Sequence, residues 1–221
     1  MPQEDNDTFI IQLLPPEEAA ACQAMRHQVY CEELGYEPVT QEGREADEDD
    51  CHSDHLLVRR AGDGEAVGCG RVIHPIPGRP LPSLTHARLG PQDAHLEALG
   101  LCEFSRFALS PAVRGNPGRK VKHELLSTQL LLAYYAIFLH TPFRHYLALT
   151  DERVASLSGW AETPLRPTGD PIQFRGIRQL YLGDRTSLER MSPAIQAVLL
   201  ETYGRFYPGQ PLPATLGRTG T

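Results

Sequence analysis

The sequence is poor in the features that would place it in several large protein classes. It has only five cysteines, Cys22, Cys31, Cys51, Cys69 and Cys102, and no C-x-x-C pair among them. An odd, scattered set supports neither a disulfide framework nor a ribbon-type zinc site, so a reducing, cytoplasmic setting is expected. No apolar run reaches the ~18–20 residues needed to span a bilayer. The longest, LLLAYYAIFLH over Leu130–His140, reads as a buried helix rather than an integral membrane segment. Positive charge is scarce: 21 Lys and Arg against 28 Asp and Glu give a formal charge of -7. That balance excludes general nucleic-acid binding, which needs a basic face to displace counterions from phosphates. The start, MPQEDNDTFIIQLLPPEE, lacks the basic opening and long apolar stretch of a secretory signal, and none is expected.

What is present fits one domain with extensions. The 221 residues are expected to form a single domain over 1–207, with a Pro/Gly-rich insertion near 75–100 and a flexible tail at 208–221. Thr8–Leu14 alternates as a strand. Pro15-Pro16-Glu17-Glu18 then opens a helix expected from about Glu17 to Leu34, stopped by Gly35, with Ala21, Met25, Gln28 and Val29 near one face. HLLVRR and AVGCGRVI around Ala61-Gly62-Asp63-Gly64 form a hairpin signal. LCEFSRFALS, Leu101–Ser110, alternates as a further strand. A helix over about Val121–Leu139, the strand HYLALTD, the helix ERVASLSGW, strands near Ile172–Phe174 and Arg178–Leu182, and a last helix over about Ser187–Tyr207 complete the order. This mixture predicts an α/β fold with a mixed central sheet flanked by helices rather than an all-parallel one. Trp160 and the 121–139 helix are expected in the core, although some apolar side chains of that helix would also suit an acyl tunnel.

The segment EADEDDCHSDH, Glu45–His55, concentrates ligand-type side chains. Cys51, His52, Asp54 and His55 have no second pair downstream, and strand alternation would send Asp54 and His55 to opposite faces, so no metal is expected and the cysteine and histidines read as incidental. The carboxylates carry more information. Glu45, Asp47 and Asp50 fall as E-x-D-x-x-D, while Arg26, Arg71 and Arg106 each lie on an element expected to be buried. A buried arginine requires a carboxylate partner, so the three acids and three arginines are expected to form one ionic cluster.

With these residues in view, the chain resembles the acyl-homoserine-lactone (autoinducer) synthases, a branch of the GNAT acyltransferase superfamily. The resemblance rests on Arg26…Tyr30…Tyr36, Glu45-x-Asp47-x-x-Asp50, Gly68-x-x-Arg71 and Glu103-x-x-Arg106, and runs from about Met25 to Leu182 through ALTDERVASLSGW and FRGIRQLY. Within that branch, RHQVYCEELGYE, SDHLLV and SRFALSPAVR are most similar to the PEP-CTERM/exosortase system-associated acyltransferases and the long-chain N-acyl amino acid synthases. Tyr36 departs from the autoinducer synthases, where the second aromatic is usually tryptophan, which leaves the acceptor open.

The resemblance implies a GNAT fold and an N-acyltransferase that moves a fatty acyl chain from a thioester to the amine of a small acceptor such as an amino acid. It implies Glu103 as the general base. It further implies that Arg26, Glu45, Asp47, Asp50, Arg71 and Arg106 order an acceptor site whose aromatics are Tyr30 and Tyr36. No permanently bound cofactor is expected; the co-substrate is an acyl-phosphopantetheine thioester on acyl carrier protein or CoA. In Arg114-Gly115-Asn116-Pro117-Gly118-Arg119 a proline stands where a CoA-gripping loop wants an N–H donor. Arg114, Arg119, Lys120 and Lys122 form the densest basic patch, expected to dock an acidic carrier protein. A CoA-dependent N-acetyltransferase and a non-catalytic acyl-binding module of the same fold are the alternatives.

Overall fold

The computed structural model describes residues 8–114 and 120–212. In chain order the elements are β1 (Phe9–Leu14), a 3-10 turn (Pro16–Glu18), α1 (Ala20–Arg26) running into a π-helical stretch (His27–Glu33), a 3-10 turn (Asp50–His52), β2 (Ser53–Arg60), β3 (Ala66–Ile73), α2 (Pro82–His86), a 3-10 stretch (Pro91–Ala98), β4 (Leu101–Leu109), α3 (Pro111–Arg114), α4 (Lys120–His140), β5 (His145–Thr150), α5 (Glu152–Trp160), β6 (Arg166–Gln173), β7 (Ile177–Asp184), α6 (Arg185–Glu189) and α7 (Pro193–Phe206). The strands form a seven-stranded mixed sheet in the order β1-β2-β3-β4-β5-β7-β6. β4 and β5 pair in parallel, whereas β1/β2, β5/β7 and β6/β7 are antiparallel. This is the expected α/β architecture.

The chain divides into two compact units, one of residues up to Arg71 with Arg106–Leu130, the other of Val72–Ser105 with the chain from Leu131 onward. In the first, Cys22, Met25 and Val29 recur at three- and four-residue spacing along one face of α1 and the π-helical stretch after it, and pack on Leu57, Cys69 and Ala108. Gly68 is required there: a Cβ would lie 2.5 Å from the Leu109 side chain and 2.9 Å from the Ala108 carbonyl oxygen. In the second unit, Ile73, Leu81, Leu96, Leu101, Leu147, Leu180 and Leu182 form a core. Beside these leucines, Phe104 stacks on Tyr146 at 4.1 Å. Leu81 and Leu96 belong to the Pro/Gly-rich segment, which is anchored by Asp93 accepting bonds from Thr168 Oγ1 at 3.0 Å and the Gly169 amide at 3.2 Å. Arg185 donates to the carbonyls of Phe138, Leu139, Thr141 and Phe143, so one side chain caps the C-terminal end of α4.

Several expectations need correction. The helix foreseen over Glu17–Leu34 is three pieces, and its second half is π-helical; Gln28 is exposed while Ala21, Met25 and Val29 pack inward. The last helix breaks over residues 190–192, because Pro193 is tolerated only in a first turn and therefore starts α7. Alternation along β4 stops at Arg106, whose φ of 56° lies in the left-handed region. Trp160 is 65 % exposed rather than core. The buried positions of α5 are Ala155 and Ser158, and helical geometry sends Trp160 well away from both. The expected tail is described only to residue 212, and Pro211 accepts a bond from Tyr203 Oη at 3.3 Å.

Candidate active site

The acidic loop closes into a ring of charge in which every carboxylate bridges two guanidinium groups. Asp50 takes both Arg26 Nη1 and Nη2 at 2.7 Å, and Arg71 Nη1 at 2.7 Å. Asp47 receives Arg71 Nη1 at 2.5 Å on one oxygen and Arg106 Nη2 at 2.8 Å on the other. Glu45 receives Arg106 Nη2 at 2.7 Å and Arg26 Nε at 2.5 Å. Three positive and three negative groups thus alternate around a closed, formally neutral circuit. It joins the loop to α1 through Arg26, to β3 through Arg71 and to β4 through Arg106. Arg26 and Arg71 are each 1 % exposed, so the pairing is what makes their burial tolerable.

The electrostatics follow from that geometry. Burial alone would raise the Asp50 carboxyl, but the bonds from Arg26 and Arg71 outweigh it and hold the group well below the usual carboxylate range. Asp47 is lowered in the same way, its burial being overcome by Arg71 and Arg106. Burial opposes the charge on Arg26 and Arg106 too, yet their carboxylate partners push both further up.

The cluster also holds a strained backbone. A non-glycine residue at positive φ costs of order 1–3 kcal/mol. Arg106 keeps that conformation with its side chain fixed by Glu45 and Asp47 and its guanidinium 5.9 Å from the centre of the Tyr30 ring. Tyr30 Oη donates to the Phe107 carbonyl at 3.1 Å, one residue beyond the bend. Tyr36 folds back so that its amide donates to the Tyr30 carbonyl at 2.7 Å, and the two rings stack 6.4 Å apart. Tyr30 and Tyr36 are thus brought side by side, on the π-helical stretch and the turn after it. π-helical insertions are frequent at functional sites.

Glu103 lies on β4, paired with Leu147 of β5, and is 5 % exposed. The Ser83 amide donates to its Oε2 at 2.9 Å. Of the basic patch, Arg114 binds the Glu33 carboxylate and donates to the Leu109 carbonyl at 2.7 Å. Lys120 and Lys122 fall in the first turn of α4, and Arg119 lies outside the described residues.

Sequence reasoning missed several residues that hold the loop. His55, read as incidental, is fully buried on β2 with Nε2 on the Asp50 carbonyl at 3.1 Å. Gln23 donates to Asp50 Oδ2 at 3.2 Å, and Ser53 Oγ donates to the Asp49 carbonyl at 2.6 Å. The signal for His55 was available: it stands two residues before Leu57 on an alternating strand, on the inward face. Burial lowers the His55 imidazole below its ordinary value.

These shifts predict a stepped loss of stability in acid. The unfolded chain takes a proton on His55 near pH 6.5, where the folded imidazole does not, so stability begins to fall below about pH 6.5. Asp47 and Asp50 are depressed when folded, so their contribution is complete above about pH 4 and is lost as the pH falls through their folded values. Urea unfolding between pH 3 and 8 is expected to show both steps, with the first absent in His55→Gln. A flat profile down to pH 4 would remove the His55 contribution.

Residues 25–122 match the family model described as an acetyltransferase (GNAT) domain. An acyl-homoserine-lactone synthase of Vibrio anguillarum is 26 % identical over 171 residues, covering 77 % of this chain and 83 % of that protein. Among solved structures, BjaI, a CoA-dependent acyl-homoserine lactone synthase bound to SAM and isopentyl-CoA, superimposes with a TM-score of 0.60 at 18 % identity, over 89 % of this chain and 90 % of its own. FeeM, an N-acyl amino acid synthase from uncultured soil microbes, gives 0.54 at 14 % identity, over 86 % and 99 %. The chain therefore carries a match to a GNAT acetyltransferase domain over 25–122 and is similar in sequence to an acyl-homoserine-lactone synthase and in fold to solved synthases of that kind.

Proposed function

We propose that the protein transfers a fatty acyl chain from an acyl carrier protein thioester to the amine of an amino acid or related metabolite, with Glu103 as general base. The observation that carries this reading is the setting of Glu103. It is a nearly buried carboxylate on a central strand, one oxygen of which is fixed by a backbone amide at 2.9 Å. A base held in one orientation is what proton abstraction requires. An acceptor amine arrives as an ammonium group. Its proton passes to Glu103, the freed nitrogen adds to the thioester carbonyl, and the tetrahedral centre collapses as the C–S bond breaks. The second nitrogen proton leaves with the thiol, and Glu103 returns its own to solvent. The ring of Arg26, Glu45, Asp47, Asp50, Arg71 and Arg106 keeps the acidic loop ordered, with Tyr30 and Tyr36 as the acceptor-site aromatics.

Arg114, Arg119, Lys120 and Lys122 are assigned to docking the acidic carrier. A CoA donor is the second reading, favoured by the likeness to BjaI, which is CoA-dependent. The test is incubation with carrier proteins loaded with several chain lengths, the matching acyl-CoAs and a pool of amines, read by mass spectrometry. Amide product from carrier-bound chains is expected. Arg119→Glu with Lys120→Glu is expected to raise KM for the carrier-bound donor about tenfold while leaving any acyl-CoA turnover unchanged. Turnover with acyl-CoA alone would replace the carrier assignment, and no amide from either donor would favour a non-catalytic acyl-binding module.

A further inference from the structure

Ser83 has a hydroxyl that the fold does not use. The residue lies in α2 of the Pro/Gly-rich segment, is 1 % exposed, and its Oγ has no hydrogen-bond partner among the described residues. A buried hydroxyl without a partner is a net cost to the folded state, so it is retained either against stability or for a bond made in another state. Its position indicates which. The amide of the same residue donates to Glu103 Oε2 at 2.9 Å. Covalent geometry keeps Oγ within about 3.8 Å of its own amide nitrogen, and so never farther than about 6.7 Å from that carboxylate oxygen. The two staggered positions about χ1 that put Oγ gauche to the amide nitrogen, about 2.9 Å from it, keep Oγ within about 5.8 Å of that oxygen, close to the span of about 5.6 Å that one water bridges with two bonds.

Glu103 itself is nearly enclosed, and a carboxylate in that setting reaches an incoming amine most readily through one water, a geometry compatible with general-base catalysis. A relay water needs two or more polar partners to be held in place. Glu103 supplies one.

We infer that Ser83 is a positioning residue that holds the relay water between Glu103 and the acceptor amine, which rests on the reading of Glu103 as the base. As the ammonium gives a proton to the water, the water gives one of its own to the Glu103 carboxylate; Ser83 Oγ accepts from or donates to that water and neither gains nor loses a proton overall. The Ser83 amide keeps the carboxylate in place throughout.

The two roles open to a buried hydroxyl separate cleanly. If Ser83 were merely structural, Ser83→Ala would lower Tm and leave turnover per folded molecule unchanged. In the relay role, the substitution removes an unsatisfied group, so Tm is unchanged or higher while kcat falls about tenfold, the loss of one hydrogen bond to the transition state. KM for the acceptor is expected to stay within about twofold. Ser83→Thr keeps the hydroxyl and is expected to restore at least half of the rate. Parental kcat in Ser83→Ala, or a loss of rate that Ser83→Thr fails to restore, would overturn the inference. Glu103→Gln measured alongside distinguishes the failures. An inactive Glu103→Gln with a fully active Ser83→Ala removes only the relay, whereas a fully active Glu103→Gln removes the base and the relay together.

Discussion

Glu103→Gln is expected to lower the rate of acyl transfer about 100- to 10 000-fold, the range that loss of a general base produces. Glutamine is close in shape to glutamate and keeps a carbonyl oxygen, so the 2.9 Å bond from the Ser83 amide can persist. β4 and its pairing with β5 at Leu147 do not depend on the charge. What the amide lacks is the capacity to take a proton from an ammonium group. The loss should therefore appear in kcat, with KM for the acyl donor little changed and Tm within a few degrees of the parent. The residual rate should also lose the dependence on pH that an ionising base imposes, and rise when the acceptor is presented at alkaline pH as a free amine. Parental turnover in the glutamine variant would remove Glu103 from the chemistry and leave it a structural carboxylate of β4.

How much of this was legible in the sequence depends on the physical range of each signal. Several local signals were accurate. The hairpin of β2 and β3, the helix ERVASLSGW that forms α5 from Glu152 to Trp160, and the strand carrying Glu103 follow from alternation, turn residues and local pattern. Charge balance carried further: buried arginines demand carboxylates, so Arg26, Arg71 and Arg106 could be matched to Glu45, Asp47 and Asp50 before any geometry was known. The pairing pattern could not be read. That each acid would bridge two arginines depends on where α1, β3 and β4 bring the guanidinium groups, which are tertiary facts. The left-handed conformation of Arg106 was equally hidden, because nothing in LCEFSRFALS marks a bend; a glycine there would have been a signal and an arginine is not. Ser83 was hidden for the opposite reason. A serine in a Pro/Gly-rich stretch looks like any turn residue, and only the fold places its amide on Glu103.

The closed circuit has a consequence for stability that isolated pairs would not have. Asp50→Ala is expected to destabilise the protein by about 3–5 kcal/mol, the cost of leaving buried charge without its partner. Asp50 joins Arg26 to Arg71, the two most deeply buried guanidinium groups of the ring. Its removal changes the formal charge of the six groups from zero to +1 and leaves Arg26 with Glu45, and Arg71 with Asp47. It also takes away the acceptor for Gln23 and for the Asp47 amide, so the loop loses contacts on both sides. For a chain of this length each kcal/mol moves Tm by roughly 2–4 °C, which predicts a fall of about 6–20 °C. Asp50→Asn is expected to lie between the variant and the parent, since it keeps the shape and one acceptor but not the charge. The ring makes a further, sharper demand. Replacing Arg26 by methionine in the Asp50→Ala background restores neutrality among the remaining groups, so the double variant should be more stable than the sum of the single losses predicts. Additive losses measured by urea unfolding at pH 7 would mean that the six groups act as separate pairs, and the loop would then owe its order to something other than the circuit.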